Sequence, residues 1–414
     1  MQRVRTTLAF AGVGLSLLAP AAIAGAAPAG PTAPTGQSQQ AGGHEFVVAV
    51  DTAAPEAGLA SIAAAGGTVV DINEQLGLVL VSAADGFIAD VSGDAGVTGA
   101  AQNHSVGTAQ PGQPHQVASD RLTVVEGQRG NGAHTAGMPG RGVGRGEEPL
   151  ADLQWDMEAI GATSDGAHRR ATGRGVTVGI IDTGVDASHP DLAANFSHEM
   201  SRNFTMDIPA IDGPCEYDTC VDPADVDNGG HGTHVAGTVA AARNGIGISG
   251  VAPEATIVNL RAGQDSGYFF VYETVAALTE AGDLGLDVAN MSFYTDPWLY
   301  NCASIDDYIS GPVTAEEIAE QAFIRQTVLA AASYAHDHGV TLVAAAGNGH
   351  TNLALSERPD ATSPDYPPGT AVSRVVTDNC LDLPSEAPEV ISVSATGPSG
   401  TKSDYSNYGL GDVE

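Results

Sequence analysis

Three polar residues close or open apolar segments in a way that could support chemistry. Asp182 ends the run GVTVGIID, His231 opens HGTHVAGTVAA behind Gly229 and Gly230, and Asn348 follows VAAAG. Activating a hydroxyl as a nucleophile requires an imidazole to take its proton and a carboxylate to fix the imidazole tautomer and stabilise the imidazolium. Asp182 and His231 are the right types for those two tasks. The Asn348 amide could donate to a developing oxyanion, a contact whose loss costs about 10²–10³ in rate in such chemistry. Each residue also has a plainer explanation: a strand-end Asp caps the next turn, a histidine sits at the surface, and Gly-Asn makes a simple turn. His231 and His234 stand three apart without an HExxH pattern, which argues against a zinc pair.

The segments that must carry these residues alternate in period. GVTVGIID, ATIVNL, LDVANMS and VTLVAAAG read as buried strands. HGTHVAGTVAA, 269–281 and 314–338 read as helices. Such alternation predicts an α/β fold, a parallel sheet with helices on both faces, in which functional residues collect at the carboxyl ends of the strands. Before it, residues 45–106 read as a small α+β unit: FVVAV, TVVDI and LGLVLVSA as strands, 56–65 and 84–90 as helices. Residues 27–44 and 107–149 are rich in Gly, Pro or Gln and read as spacers.

Four stretches in order, GVTVGIIDTGVDASHPDL, NGGHGTHVAGTVAA, ISGVAPEATI and VAAAGN, resemble the subtilisin-like serine proteases, or subtilases. The resemblance runs from Gln154 to the end and assigns 150–414 to a peptidase domain. It implies a secreted endopeptidase with Asp182 and His231 as triad members and Asn348 as oxyanion donor. Residues 45–106 are similar to the family's inhibitory propeptide, of ferredoxin-like fold, so the chain's own propeptide is an expected partner beside protein or peptide substrates. The family's serine motif, GTSMA, is absent from the 414 residues. The last residues, SDYSNYGLGDVE, are similar to the strand that precedes it. The expectation is therefore a peptidase domain incomplete at its C-terminus and inactive as it stands, with a non-catalytic binding or inhibitory protein as the alternative.

The same resemblance implies that substrate peptide adds as a strand between 265–268 and 292–294. Ser266, Gly267 and Tyr268 lie on one side and Ser292 and Phe293 on the other, while Ala345 and Gly347 line the primary pocket. Phe293 and Tyr294 could equally be core aromatics. Asp191 and Asn244 match side-chain ligands of the family's structural calcium site, with backbone oxygens from Ala242, Ile246 and Ile248. Oxygen-only ligands suit that ion.

Charge and cysteines bound the rest. Sixteen basic against 50 acidic residues leave a formal charge of −34, which would repel a phosphate backbone and excludes a nucleic-acid partner. Arg3 and Arg5, an apolar stretch to Ile23 and small residues to Ala26 read as a signal peptide, 1–26. Pro20 and the shortness of that stretch argue against a membrane anchor. Export favours oxidation of the four cysteines, and we expect Cys215–Cys220 as a local loop and Cys302–Cys380 as a longer staple.

Overall fold

The computed structural model describes residues 44–103, 148–360, 373–411 and 413. The signal peptide expected at 1–26, residues 27–43 of the first spacer, residues 104–106 of the small unit and residues 107–147 of the second spacer lie outside the described residues.

The first six elements are β1 (His44–Val50), α1 (Pro55–Ala64), β2 (Thr68–Asn73), β3 (Leu78–Ala83), α2 (Phe87–Val91) and β4 (Val97–Gln102). Their sheet is antiparallel in the order β2-β3-β1-β4, the ferredoxin-like arrangement expected, with β4 not foreseen. Strand period sorts the side chains onto two faces. Phe46, Val48, Val50, Val79 and Val81 pack under the helices against Ile62, Phe87 and Val91. Val47, Leu78, Leu80 and Ala101 point the other way and join the core of the larger unit. The second helix is shorter than the 84–90 expected, because Gly86 takes a left-handed conformation and starts it at Phe87.

The larger unit begins with α3 (Trp155–Ile160), β5 (Thr177–Asp182), β6 (Arg202–Asn203), α4 (His231–Ala240) and β7 (Thr256–Arg261). It continues through α5 (Val271–Asp283), β8 (Val288–Met291), β9 (Tyr308–Ser310), α6 (Ala315–Asp337), β10 (Thr341–Ala345), β11 (Glu357–Asp360), β12 (Arg374–Thr377) and β13 (Val390–Val393). Six strands form a parallel sheet in the order β13-β10-β8-β5-β7-β6. β5 is central and buried from Val178 to Asp182. A capping box starts α6: the Thr314 hydroxyl accepts from Glu317 N at 3.1 Å, and the Glu317 carboxylate accepts from Thr314 N at 2.6 Å.

The sheet of the N-terminal unit lies on α5 and α6. Apolar contact carries most of this junction, and polar contacts fix its register. Asn73 Nδ2 donates to Thr279 Oγ1 at 2.7 Å, and Gln75 Nε2 to Asp283 Oδ2 at 2.5 Å. Asn103 Nδ2 donates to Glu273 at 3.1 and 3.2 Å, and Tyr272 N donates to Asn103 Oδ1 at 3.0 Å.

Other boundaries differ from the expectation. Glu148, assigned to a spacer, is buried and accepts from Gly245 N at 2.7 Å. Residues 402–408 form turns and isolated bridges in place of the expected strand. The antiparallel sheet β11-β12-β9 was not expected; its interior is held by Arg374 paired with Asp360 and by the bonded pair Cys302–Cys380. Both disulfides pair as expected, with sequence separations of 5 and 78. Closing the longer loop restricts the unfolded chain more. Replacing Cys302 and Cys380 by Ala is expected to cost about 4 kcal/mol in urea unfolding, against about 2 kcal/mol for Cys215 and Cys220.

Candidate active site

Asp182 is fully buried at the carboxyl end of β5. Its Oδ1 accepts from Thr183 N at 2.8 Å and faces His231 Nδ1 at 2.7 Å. Against a carboxylate oxygen, Nδ1 carries the proton, which makes Nε2 the basic nitrogen of the ring. The His231 side chain is 23% exposed and so reaches the surface from a buried partner.

Backbone geometry brings the two together. His231 is the first residue of α4, and Gly230 before it is left-handed with φ 81°. A Cβ on Gly232 would lie 2.1 Å from Gly184 O and 2.9 Å from Asp182 Cβ. Only glycine lets the first turn of α4 approach β5 this closely. Asp227 then ties the turn down. Its Oδ1 accepts from Gly230 N at 2.8 Å and Thr183 Oγ1 at 3.0 Å, and its Oδ2 from Thr233 N at 2.9 Å and Thr233 Oγ1 at 2.5 Å. A carboxylate among the unsatisfied N–H groups of a helix start is favourable in both hydrogen bonding and dipole. Sequence reasoning missed Asp227, although an Asp just before a Gly-led helix is an N-terminal signal.

Asn348 lies exposed just beyond β10, after Gly347 with φ 94°. Asn407 braces this corner: its Nδ2 donates to Ala346 O at 2.8 Å, its N to Gly347 O at 2.9 Å, and its Oδ1 accepts from Thr351 N at 2.9 Å. Ala345 is exposed and Gly347 half-buried at the same corner. Ser292 is half-buried beyond β8, its hydroxyl accepting from Asn290 Nδ2 at 2.9 Å.

The segment expected as one peptide edge differs from the extended strand expected. Residues 264–268 form a tight turn in which Gly267 N donates to Gln264 O and Gln264 N to Tyr268 O, each at 2.8 Å. Ser266 and Gly267 are half-buried on it. Tyr268 points inward, stacked on Phe270 at 5.9 Å beside Ile211. Phe293 is a core aromatic, stacked on Phe269 at 4.0 Å, so the core reading of that side chain holds. The loop before α4 fixes the turn: Asp212 Oδ1 accepts from Ser266 N at 3.0 Å and Ser266 Oγ at 2.6 Å. Beneath it, Arg261 is fully buried, bonded to Asp222 at 2.5 Å and Asp265 at 2.8 Å. Burial lifts the Asp265 carboxyl to about 6 against the pull of Arg261, and lifts Asp207 to about 7 with the help of the neighbouring Asp222.

Asp191 and Asn244 converge on the loop that follows α4. Asp191 is buried, its Oδ2 accepts from Ile248 N at 3.3 Å, and its Oδ1 has no hydrogen-bond partner among the described residues. Gly247 has φ 53°, and a Cβ there would lie 1.9 Å from Asp191 Oδ2, so the loop wraps this carboxylate closely. Asn244 Oδ1 accepts from Ile246 N at 3.1 Å. An orphaned buried carboxylate oxygen in an oxygen-rich loop fits a hard cation. Glu148, not singled out from sequence, braces the loop through Gly245.

The sequence pattern of the subtilase family matches residues 173–412, more than half of the chain. The chain belongs to the subtilase family. Fervidolysin of Fervidobacterium pennivorans is 33% identical over 208 residues, which is 49% of this chain and 24% of fervidolysin. Subtilisin Savinase of Lederbergia lenta is 36% identical over 141 residues, 34% of this chain and 45% of that protein. The chain thus spans less than half the length of either relative. The crystal structure of the epidermin leader peptide processing serine protease EpiP from Staphylococcus aureus has a TM-score of 0.60 at 21% identity, covering 89% of this chain and 73% of that one, a likeness of fold. No helix among the described residues is long and apolar enough to cross a membrane.

Asp227→Ala in this subtilase removes the acceptor for four donors at once. It is expected to lower the stability of the chain by about 1–3 kcal/mol in urea unfolding with an unchanged m value.

Proposed function

We propose that this chain is the zymogen form of a secreted subtilisin-like endopeptidase, in which Asp182 and His231 are two members of a catalytic triad. The observation that carries the reading is the 2.7 Å contact between His231 Nδ1 and a fully buried Asp182 carboxylate, within a subtilase domain. With Nδ1 held by Asp182, Nε2 takes the proton of a serine hydroxyl as its Oγ bonds to the scissile carbonyl carbon. His231 then passes that proton to the leaving amine, and water releases the acyl group by the reverse sequence. Asn348 serves as the oxyanion donor in this scheme. Ser266, Gly267, Ser292, Ala345 and Gly347 contact the peptide.

The serine belongs to a segment of the GTSMA type, which these 414 residues do not contain. Serines already engaged do not replace it. The buried Ser406 hydroxyl accepts from Ala395 N at 2.9 Å and donates to Asn407 O at 2.9 Å.

Residues 45–106 act in the proposal as an inhibitory propeptide, and the 1–26 segment as its export signal. Support for the inhibitory role comes from Asn103, which is anchored to Tyr272 and Glu273 at the first turn of α5, close after the Ser266–Tyr268 turn. A structural calcium ion is held by Asp191 and Asn244 with backbone oxygens of Ala242, Ile246 and Ile248.

Hydrolysis of a denatured protein tests the catalytic reading. The 414-residue chain should cleave nothing, whereas a version carrying an added GTSMA-bearing segment should cleave. His231→Ala in the longer version should lower the rate by about 10⁶-fold, the scale seen when one member of such a triad is removed. Activity in the short chain that disappears with His231→Ala would point to another nucleophile. For the ion, calcium chloride should raise the Tm of the chain, and Asp191→Asn should remove a distinct part of that rise.

A further inference from the structure

Between Asp191 and α4 the chain makes a long excursion that carries the Cys215–Cys220 loop, and its acidic residues gather under the Ser266 turn. Asp207, Glu216 and Asp265 each present a carboxylate oxygen, and the three oxygens lie within 4.8 Å of one another. A calcium ion with bonds of roughly 2.3–2.6 Å spans oxygens up to about 5 Å apart, so one ion reaches all three.

Asp207 is the decisive member. It is 1% exposed, yet neither carboxylate oxygen accepts a hydrogen bond among the described residues, and the Arg261 guanidinium stands 3.7 Å from Oδ1, beyond hydrogen-bonding reach. A buried carboxylate left without a bond is costly, and native proteins satisfy such groups with a partner, a water or an ion. Charge balance points the same way. Arg261 is one positive charge, already bonded to Asp222 and Asp265, while Asp207 and Glu216 add negative charge with no further cation among the residues named here. Glu216 is exposed, which leaves an entry path and room for water ligands.

We propose that Asp207, Glu216 and Asp265 form a second divalent-cation site of calcium type, separate from the loop at Asp191. The ion joins three parts of the chain: the strand-end segment after β6, the small disulfide loop, and the turn that bears Ser266. Its occupancy therefore sets the order of the candidate peptide edge. Asp265 is next to Ser266, and the disulfide holds Glu216 in place from the other side. Calcium suits the site better than magnesium, because carboxylates from three separate segments do not enforce the strict octahedron that the smaller ion requires.

Terbium luminescence on the full 414-residue chain tests the site, since the rings of Tyr217 and Tyr268 lie in the segments that would hold the ion and can sensitise a bound lanthanide. Titrations use terbium chloride with calcium chloride as competitor, on the parent chain, Asp191→Asn, Glu216→Gln and Asp207→Asn. The proposal expects a luminescent component that survives Asp191→Asn, is displaced by calcium, and weakens at least about tenfold in Glu216→Gln, which removes one ligand charge and leaves the Arg261 ion pairs in place. Calcium should also protect the 205–222 segment from amide exchange in Asp191→Asn but not in Asp191→Asn/Glu216→Gln. If Asp207→Asn fails to fold, the Glu216→Gln result alone decides. A calcium response that vanishes with Asp191→Asn, or that is the same in Glu216→Gln as in the parent, overturns the second site. So does stabilisation of the cluster by acid with none by calcium, which would mean that protons balance the charge.

Discussion

Two neighbouring strands of the parallel sheet end in opposite charges. Asp182 on β5 and Arg261 on β7 are in register and both fully buried, and Asp182 O receives the N–H groups of Ala262 and Gly263 at 3.1 Å. Burying either charge without company would cost several kcal/mol. In-register partners of a parallel pair leave the sheet on the same face, yet each of these two charges is met by different groups. His231 and the Thr183 N–H meet Asp182, and a set of aspartates meets Arg261. Much of the architecture at this edge answers those two requirements. α4 must begin close against β5, which demands glycine at 232. The excursion before α4 must return acidic groups to the end of β7.

What the sequence made legible follows from the same physics. Buried parallel strands read as continuous apolar runs, so β5, β7, β8 and β10 were visible, and a polar residue at the end of such a run stands out against its neighbours. Asp182 and His231 were legible for that reason. The 264–268 turn was not, because its conformation depends on Asp212, a residue 54 positions from Ser266 that carries no local signal. Nor was the β11-β12-β9 sheet, whose strand Glu357–Asp360 contains a proline and three charged residues and exists because Arg374 and Arg358 find buried partners. Tyr268 and Phe293 were placed at the peptide edge by family position alone, and ring stacking turned both inward.

The N-terminal sheet and α5–α6 illustrate a division of labour between apolar and polar contact. Val47, Leu78, Leu80 and Ala101 share a core with Phe323 and Ile324, which supplies attraction without direction. Asn73, Gln75 and Asn103 supply direction, each matched to one acceptor on α5. Asn103 both donates to Glu273 and accepts from Tyr272 N, so a single amide fixes the end of β4 relative to the start of α5.

That junction also has a history within the life of each molecule. Asn73 and Thr279 are 206 positions apart in sequence, so a ribosome adding about 5–20 residues per second releases the first roughly 10–40 s before the second. During that interval the face bearing Val47, Leu78 and Leu80 has no helices to cover it, while the face bearing Phe46, Val48 and Val81 is already closed by α1 and α2. The nascent small sheet waits with one greasy side open, a template on which the later helices condense.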